Sequence, residues 1–208
     1  MMGRFISFEG GEGSGKSTQA HLLAEHLSLR GDEVVLTREP GGTSGAEAIR
    51  GLLVSGDPDR WTPWSEVCLV NAARADHVAR VIRPALARGA WVICDRYVDS
   101  TRAYQGAGKG IADKALLALH DEVTGNLWPG LTVVLRLPPE AGLARAEARA
   151  GHETRFEAHD AGFHAAIAGF FQTLPDREPN RCVAIDAHGR PQTVADSIRA
   201  AVEAHAWP

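Results

Sequence analysis

The sequence predicts an α/β fold: a five-stranded parallel sheet with helices on both faces, in one domain spanning 1–208. Three observations predict it. Short apolar runs and helix-periodic segments alternate five times along the chain. The first apolar run leads into a glycine-rich loop and then a helix. The length and an apolar content of 44% suit one core of ordinary globular composition.

The first strand is Phe5-Ile6-Ser7-Phe8, followed by Glu9. Gly10 to Ser17 reads G-x-x-x-x-G-K-S, the pattern of a phosphate-binding loop. Glycines allow positive φ and bring backbone N–H groups close to an anion. The helix from Thr18 to Arg30, stopped by Gly31, adds unpaired N–H groups and the positive end of its dipole. Lys16 can then reach β- and γ-phosphates, and the Ser17 hydroxyl can ligate Mg²⁺. A chance glycine turn before a helix explains none of these agreements between strand, spacing and Lys-Ser pair.

Glu33 to Thr37 forms the second strand, and Arg38-Glu39-Pro40-Gly41-Gly42-Thr43 makes a shaped turn at its end. Arg38 thus lies at a strand's carboxyl end, where open α/β sheets bind ligands. Ser44 to Val54 is a helix with Ser44 as its cap, and 55–63 is a loop. A long helical pattern covers Ser65 to Arg88, with Pro84 placed to kink it. Arg74 lies on or beside its buried face, so it must meet an anion or a carboxylate.

Trp91-Val92-Ile93-Cys94 is the clearest buried strand, with Asp95-Arg96-Tyr97 directly after it. An acid there can serve Mg²⁺ or accept a proton, and Arg96 offers a planar cation to phosphate. A short helix capped by Asp99 or Ser100 precedes a glycine-rich turn, and Tyr104 and Gln105 suit a sugar and a base. Helix 113–122, strand 131–137 and helix 140–148 follow, the last with Arg145 and Arg149 on one face. Residues 150–155 read as a mobile flap carrying Arg155, then come helix 157–173, strand 181–186, a loop around His188, and helix 193–206.

A net charge of −4 without a basic run argues against nucleic acid as a partner. No apolar stretch reaches membrane-spanning length, and the N-terminus lacks a signal-peptide core. Cys68, Cys94 and Cys182 have no metal spacing and read as reduced core thiols of a cytoplasmic protein.

Taken together, Phe8 through Thr18, Arg38 through Thr43, Ala72-Ala73-Arg74, Asp95-Arg96-Tyr97 with Ser100, Ala103-Tyr104-Gln105-Gly106, and Arg145 through Glu157 resemble the thymidylate kinase family, bacterial type. They occur in the family's order across nearly the whole chain. The resemblance implies the three-layer P-loop nucleoside monophosphate kinase fold with a mobile lid at about 145–156. It implies Mg²⁺-dependent transfer of the γ-phosphoryl group of ATP to dTMP, giving dTDP and ADP. It also implies a homodimer through helices including 65–88.

By position, the resemblance assigns Gly10, Gly11, Glu12, Gly13, Ser14, Gly15, Lys16, Ser17, Thr18 and Arg145 to ATP. It assigns Glu12, Arg38, Pro40, Val70, Arg74, Arg96, Ser100, Tyr104 and Gln105 to dTMP, with Arg38, Arg74 and Arg96 on its phosphate. Ser17 and Asp95 fall to Mg²⁺, the loop after Asp186 borders adenine, and Lys16, Asp95, Arg96 and Arg149 carry catalysis. Some members place a catalytic arginine inside the phosphate-binding loop. Here Glu12 stands there, so the cation comes from the lid: Arg149 chiefly, with Arg145 and Arg155 assisting.

In one departure, the family's usual thymine-stacking phenylalanine is Val70, which packs but cannot stack. Tyr97, Tyr104 and a nearby tryptophan are the other candidate platforms. The alternatives are a P-loop kinase for another nucleoside monophosphate and a non-catalytic nucleotide-binding switch.

Overall fold

The structure is a computed structural model, described for residues 3–147 and 155–207. Its strands are β1 (Arg4–Glu9), β2 (Val34–Arg38), β3 (Trp91–Asp95), β4 (Leu131–Arg136) and β5 (Cys182–Asp186). Its helices are α1 (Lys16–Leu29), α2 (Ser44–Val54), α3 (Pro63–His77), α4 (Arg83–Ala87), α5 (Val98–Thr101), α6 (Asp113–Thr124), α7 (Pro139–Glu147), α8 (Ala161–Arg177) and α9 (Pro191–Ala204). The sheet is wholly parallel in the order β2-β3-β1-β4-β5.

Both faces of the sheet are covered, which is why its central strands are almost continuously apolar. Ile6 and Phe8 of β1, Ile93 of β3 and Val133 and Leu135 of β4 pack under α1 and α9, against Leu23, Leu27, Ile198 and Val202. The opposite face carries Phe5, Val92 and Cys94 with Val78, Ile82 and Ala85, and Val134 with Phe163, Ile167 and Phe171 of α8. Ser7 and Thr132 are the polar pair within this second layer, and their hydroxyls satisfy each other at 2.9 Å. Ile6 pairs with Ile93 on one side and Leu131 on the other, so the carboxyl ends of β1, β3 and β4 lie together.

Several boundaries differ from the sequence reading, each for a local reason. The hydroxyl of Thr43, not Ser44, caps α2 by accepting from Ala46 N at 3.0 Å. The long third helix starts at Pro63 under a Thr62 cap and passes through a π-helical stretch, Val78–Ile82, just before Pro84. That stretch absorbs the proline, which sits in the first turn of α4 where no helical N–H is needed. Asp160 caps α8, which therefore begins at Ala161 and continues through Pro175 to Arg177. Asp99 and Ser100 do not cap α5; both lie inside it and use their side chains elsewhere. Cys94 and Cys182 are buried thiols, but Cys68 is exposed on the outward face of α3.

Candidate active site

The glycine loop between β1 and α1 is shaped by three positive φ values: 142° at Gly10, 64° at Gly13 and 93° at Gly15. Gly13 is also an approach point, since a Cβ there would stand 1.9 Å from the Gly142 carbonyl oxygen of α7. Gly15 is the N-cap of α1 and offers no side chain to the helix's first N–H groups, which leaves them to an anion. Lys16 folds back over the loop, donating to the carbonyls of Gly10 at 3.0 Å and Gly11 at 2.7 Å. Burial, with Arg96 nearby, lowers the Lys16 ammonium to about 8.

The Ser17 hydroxyl donates to Oδ2 of Asp95, at the end of β3. The other Asp95 oxygen is buried and has no partner among the described residues. Next along the chain, Arg96 takes a left-handed backbone, φ 71°. That turn aims its guanidinium back across the glycine loop: Nη2 donates to Glu12 at 3.0 Å and Nη1 to Ser100 Oγ at 3.3 Å. The guanidinium also lies 5.1 Å from the Tyr104 ring centroid. Tyr104 OH donates to the same Glu12 oxygen at 2.5 Å. Burial would raise the Glu12 carboxyl, but Arg96 and Lys16 outweigh it and hold Glu12 at about 2. Glu12 therefore orders Arg96 and Tyr104 as a permanent anion.

Two cavities meet at Arg96. One, about 120 Å³, is lined by Glu12, Pro40, Val70, Arg74, Ser100, Tyr104, Gln105 and Phe156, among others. The second, about 580 Å³, is lined by Ser17, Arg38, Asp95 and Arg96. Arg38 and Arg74 thus face different spaces, and Arg96 borders both. Arg38 is half exposed and pairs with Glu47 at 3.0 Å. Arg74 is 2% exposed, and it meets a carboxylate: its Nε donates to Glu39 at 2.7 Å and its Nη2 to Thr101 Oγ1 at 2.9 Å. His77 Nδ1 lies 3.0 Å from the second Glu39 oxygen. Despite burial, Arg74 and His77 keep the Glu39 carboxyl below its ordinary range.

Beneath Arg96, Glu9 is fully buried and accepts from Tyr97 N at 2.7 Å and Ser100 Oγ at 2.6 Å. Burial, then the neighbouring Asp99, raises Glu9 to about 8. Gln105 Nε2 donates to buried Glu66 at 3.0 Å.

The flap residues divide. Arg149 lies outside the described residues. Arg145 is exposed and donates to the Ala187 carbonyl at 3.3 Å, beside the loop after β5. Arg155 is not the free lid cation expected from its place in a polar segment. It is fully buried, donating to the carbonyls of Leu53, Asp57 and Pro58 and to Glu66. Five donors on a planar fork match that ring of carbonyls, which an ammonium could not satisfy.

Phe156 escaped the sequence reading. Its ring lines the smaller cavity and meets Tyr104 edge-on at 5.5 Å. Tyr97 and Tyr104 line the cavity as well, and among the described residues no tryptophan does. The signal for Phe156 was one aromatic residue at the end of an otherwise small and polar stretch.

A family model described as Thymidylate kinase matches residues 8–198. The thymidylate kinase of Caulobacter vibrioides is 54% identical over 196 residues, covering 94% of each chain. That of Rhizorhabdus wittichii is 50% identical over 195 residues, covering 93% of this chain and 94% of its own. The crystal structure of thymidylate kinase from Ehrlichia chaffeensis superposes with a TM-score of 0.79 at 33% identity, covering 97% of this chain and 99% of that one. Among the described residues no helix is long and apolar enough to cross a membrane. The chain belongs to the thymidylate kinase family, enzymes of ATP-dependent dTMP phosphorylation.

Proposed function

We propose that Arg96, which borders both cavities, marks the point where the acceptor phosphate meets the donor. The glycine loop and Lys16 hold the ATP phosphates. The nucleoside of dTMP occupies the cavity of Val70, Tyr104, Gln105 and Phe156, and its phosphate reaches Arg96 and Arg38. Arg74, spent on Glu39 and Thr101, forms a wall of that cavity. The observation that carries this reading is the position of Arg96, shared by both spaces and tied to the loop through Glu12.

In the reaction, an oxygen of the dTMP phosphate attacks the γ-phosphorus while the bond to the β,γ-bridging oxygen breaks, releasing ADP. Such transfers need alignment, charge neutralisation and exclusion of water. Arg96 aligns the acceptor. Glu12 keeps that guanidinium from swinging onto the donor, and Tyr104 packs beside it. Arg149, carried by a lid that closes over the site, neutralises the transferred group. Arg145 borders adenine from α7.

Ser17 and Asp95 would hold Mg²⁺. The buried, unpartnered Asp95 oxygen beside a serine hydroxyl suits a hard cation that takes few protein ligands. When bound, the ion neutralises charge on the donor phosphates. No group of three or more His, Cys, Asp or Glu forms another metal site among the described residues.

The outward face of the third helix supports a homodimer. Trp64, Cys68 and Ala72 are exposed at four-residue spacing, and Ala79 continues the stripe. The free thiols fit a reducing cytoplasm.

A coupled assay of ADP release over dTMP, dUMP, dCMP and no acceptor tests the reading. The expected result is a strong preference for dTMP and slow hydrolysis without acceptor. Rapid acceptor-independent hydrolysis, or equal use of dCMP, would contradict it.

A further inference from the structure

Arg96 holds a backbone conformation that arginine rarely adopts. Among the described residues only Arg96, at φ 71°, and Asn126, at φ 55°, take a positive φ without being glycine. Asparagine is common in that region, whereas a long side chain persists there only where its surroundings enforce the turn. At Arg96 the enforcing contacts come from two consecutive residues of β1.

The register of β1 and β3 ends at the pair Phe8 and Asp95. The Phe8 carbonyl still accepts from Arg96 N, at 3.0 Å. The left-handed turn then carries Tyr97 out of the ladder into a fully buried position, where its N–H donates to a side chain, Glu9 Oε1, at 2.7 Å. A buried N–H left unpaired is costly, so the Glu9 carboxyl replaces the missing strand carbonyl. Glu9 also reaches the far end of the same arginine. Its second oxygen bonds the Ser100 hydroxyl at 2.6 Å, and that hydroxyl accepts from Arg96 Nη1 at 3.3 Å. One carboxyl thus holds the turn after Arg96 and, through one serine, the guanidinium itself. Glu9 is 0% exposed, so it cannot touch a substrate. Asp99 anchors α5 separately, accepting from Arg102 at 2.9 Å and from Arg181 at 2.7 Å, so removing Glu9 loosens the turn and leaves the helix in place.

We infer that Glu9 is a positioning residue for phosphoryl transfer: it locks the left-handed turn at Arg96 and so fixes the guanidinium at the border of the two cavities. Without Glu9 the turn is free to relax to a negative φ, which swings the guanidinium away from Glu12 and from the acceptor phosphate. A misplacement of about 1 Å in a positioning group can cost about 100-fold in rate. This role rests on the acceptor reading of Arg96 above.

The test measures kcat/KM for dTMP at saturating ATP, and KM for ATP, in wild type, Glu9→Leu, Glu9→Gln, Arg96→Lys and the double variant Glu9→Leu with Arg96→Lys. Leucine leaves Tyr97 N and Ser100 without their partner. Glu9→Leu should lower kcat/KM for dTMP by about 10- to 100-fold and leave KM for ATP within about threefold. Glutamine keeps an acceptor for Tyr97 N and bonds the serine through its NH₂, so Glu9→Gln should stay within about threefold of wild type. In the Arg96→Lys background, Glu9→Leu should cost less than about threefold more, because its effect passes through the guanidinium. A folded Glu9→Leu enzyme within about twofold of wild type overturns the inference. So does a double variant whose losses multiply, or a rise in KM for ATP as large as the loss for dTMP, since either marks Glu9 as general scaffolding. An Arg96→Lys enzyme with unchanged kcat/KM for dTMP overturns the acceptor reading instead.

Should Glu9→Leu not fold, Glu9→Asp replaces it, because its carboxyl is one methylene too short to hold Tyr97 N and Ser100 together. It should lose about tenfold or more in kcat/KM for dTMP, again without a further loss beyond about threefold in the Arg96→Lys background. A Glu9→Asp enzyme within about twofold of wild type overturns the inference.

Discussion

Arg96→Lys isolates the part played by guanidinium geometry, because it keeps the charge. In the structure Arg96 spans three groups: Glu12 at 3.0 Å, Ser100 at 3.3 Å and the Tyr104 ring at 5.1 Å. Burial opposes its charge, but Tyr104, Glu12 and Asp95 hold it firmly protonated. A lysine ammonium can satisfy Glu12 or the acceptor phosphate but cannot hold a fixed fork between them. The variant should lose about one charge-assisted hydrogen bond to the acceptor, roughly 1.5–3 kcal/mol. That corresponds to about a 10- to 150-fold fall in kcat/KM for dTMP. KM for ATP should stay within about threefold, since the loop and Lys16 hold the donor. The assay is coupled ADP release with dTMP varied at saturating ATP, then the reverse. A kcat/KM for dTMP within about threefold of wild type, or a loss confined to KM for ATP, would refute the placement of Arg96 between the two cavities.

Three further outcomes are expected. Gly13→Ala places a methyl 1.9 Å from the Gly142 carbonyl at φ 64°, so it should raise KM for ATP and lower Tm by about 2–8 °C from roughly 1–2 kcal/mol of backbone strain; an unchanged Tm and KM would show that the loop and α7 do not touch. Glu9, raised from 4.5 to about 8, binds a proton more tightly folded than unfolded, so its stabilisation is complete below pH 4.5 and is lost as pH rises toward 8. Glu9→Gln should flatten the decline of Tm between pH 5 and 8, and a slope equal to wild type would remove Glu9 as its source. Arg149→Ala should lower kcat by about 10³ while KM for dTMP moves less than about threefold; a kcat within about threefold of wild type would sink its assignment as the lid cation.

The strands were legible because each central one is a nearly unbroken apolar run, and the loop because its glycine and Lys-Ser spacing is chemically restrictive. Strand order was not, since no local pattern says that β3 lies between β2 and β1. The buried carboxylates were the main surprise. Glu9, Glu39 and Glu66 look like ordinary surface acids in sequence, and only the fold shows that Glu9 meets a hydroxyl and a backbone N–H while Glu39 and Glu66 meet buried cations. The same blindness made Arg155 read as a free flap cation: its partners are carbonyls about a hundred positions earlier, and carbonyls leave no mark in a sequence. Val70 looked like a missing aromatic. Phe156 and Tyr104 stand in that cavity instead, brought there from distant segments.

The crystal structure of the enzyme with dTMP tests the central claim most directly. The expected density has the phosphate between Arg38 and Arg96 and the base in the cavity of Val70, Gln105 and Phe156. A dTMP phosphate lodged on Gly13–Thr18, or a base outside that cavity, would contradict the division of donor and acceptor at Arg96.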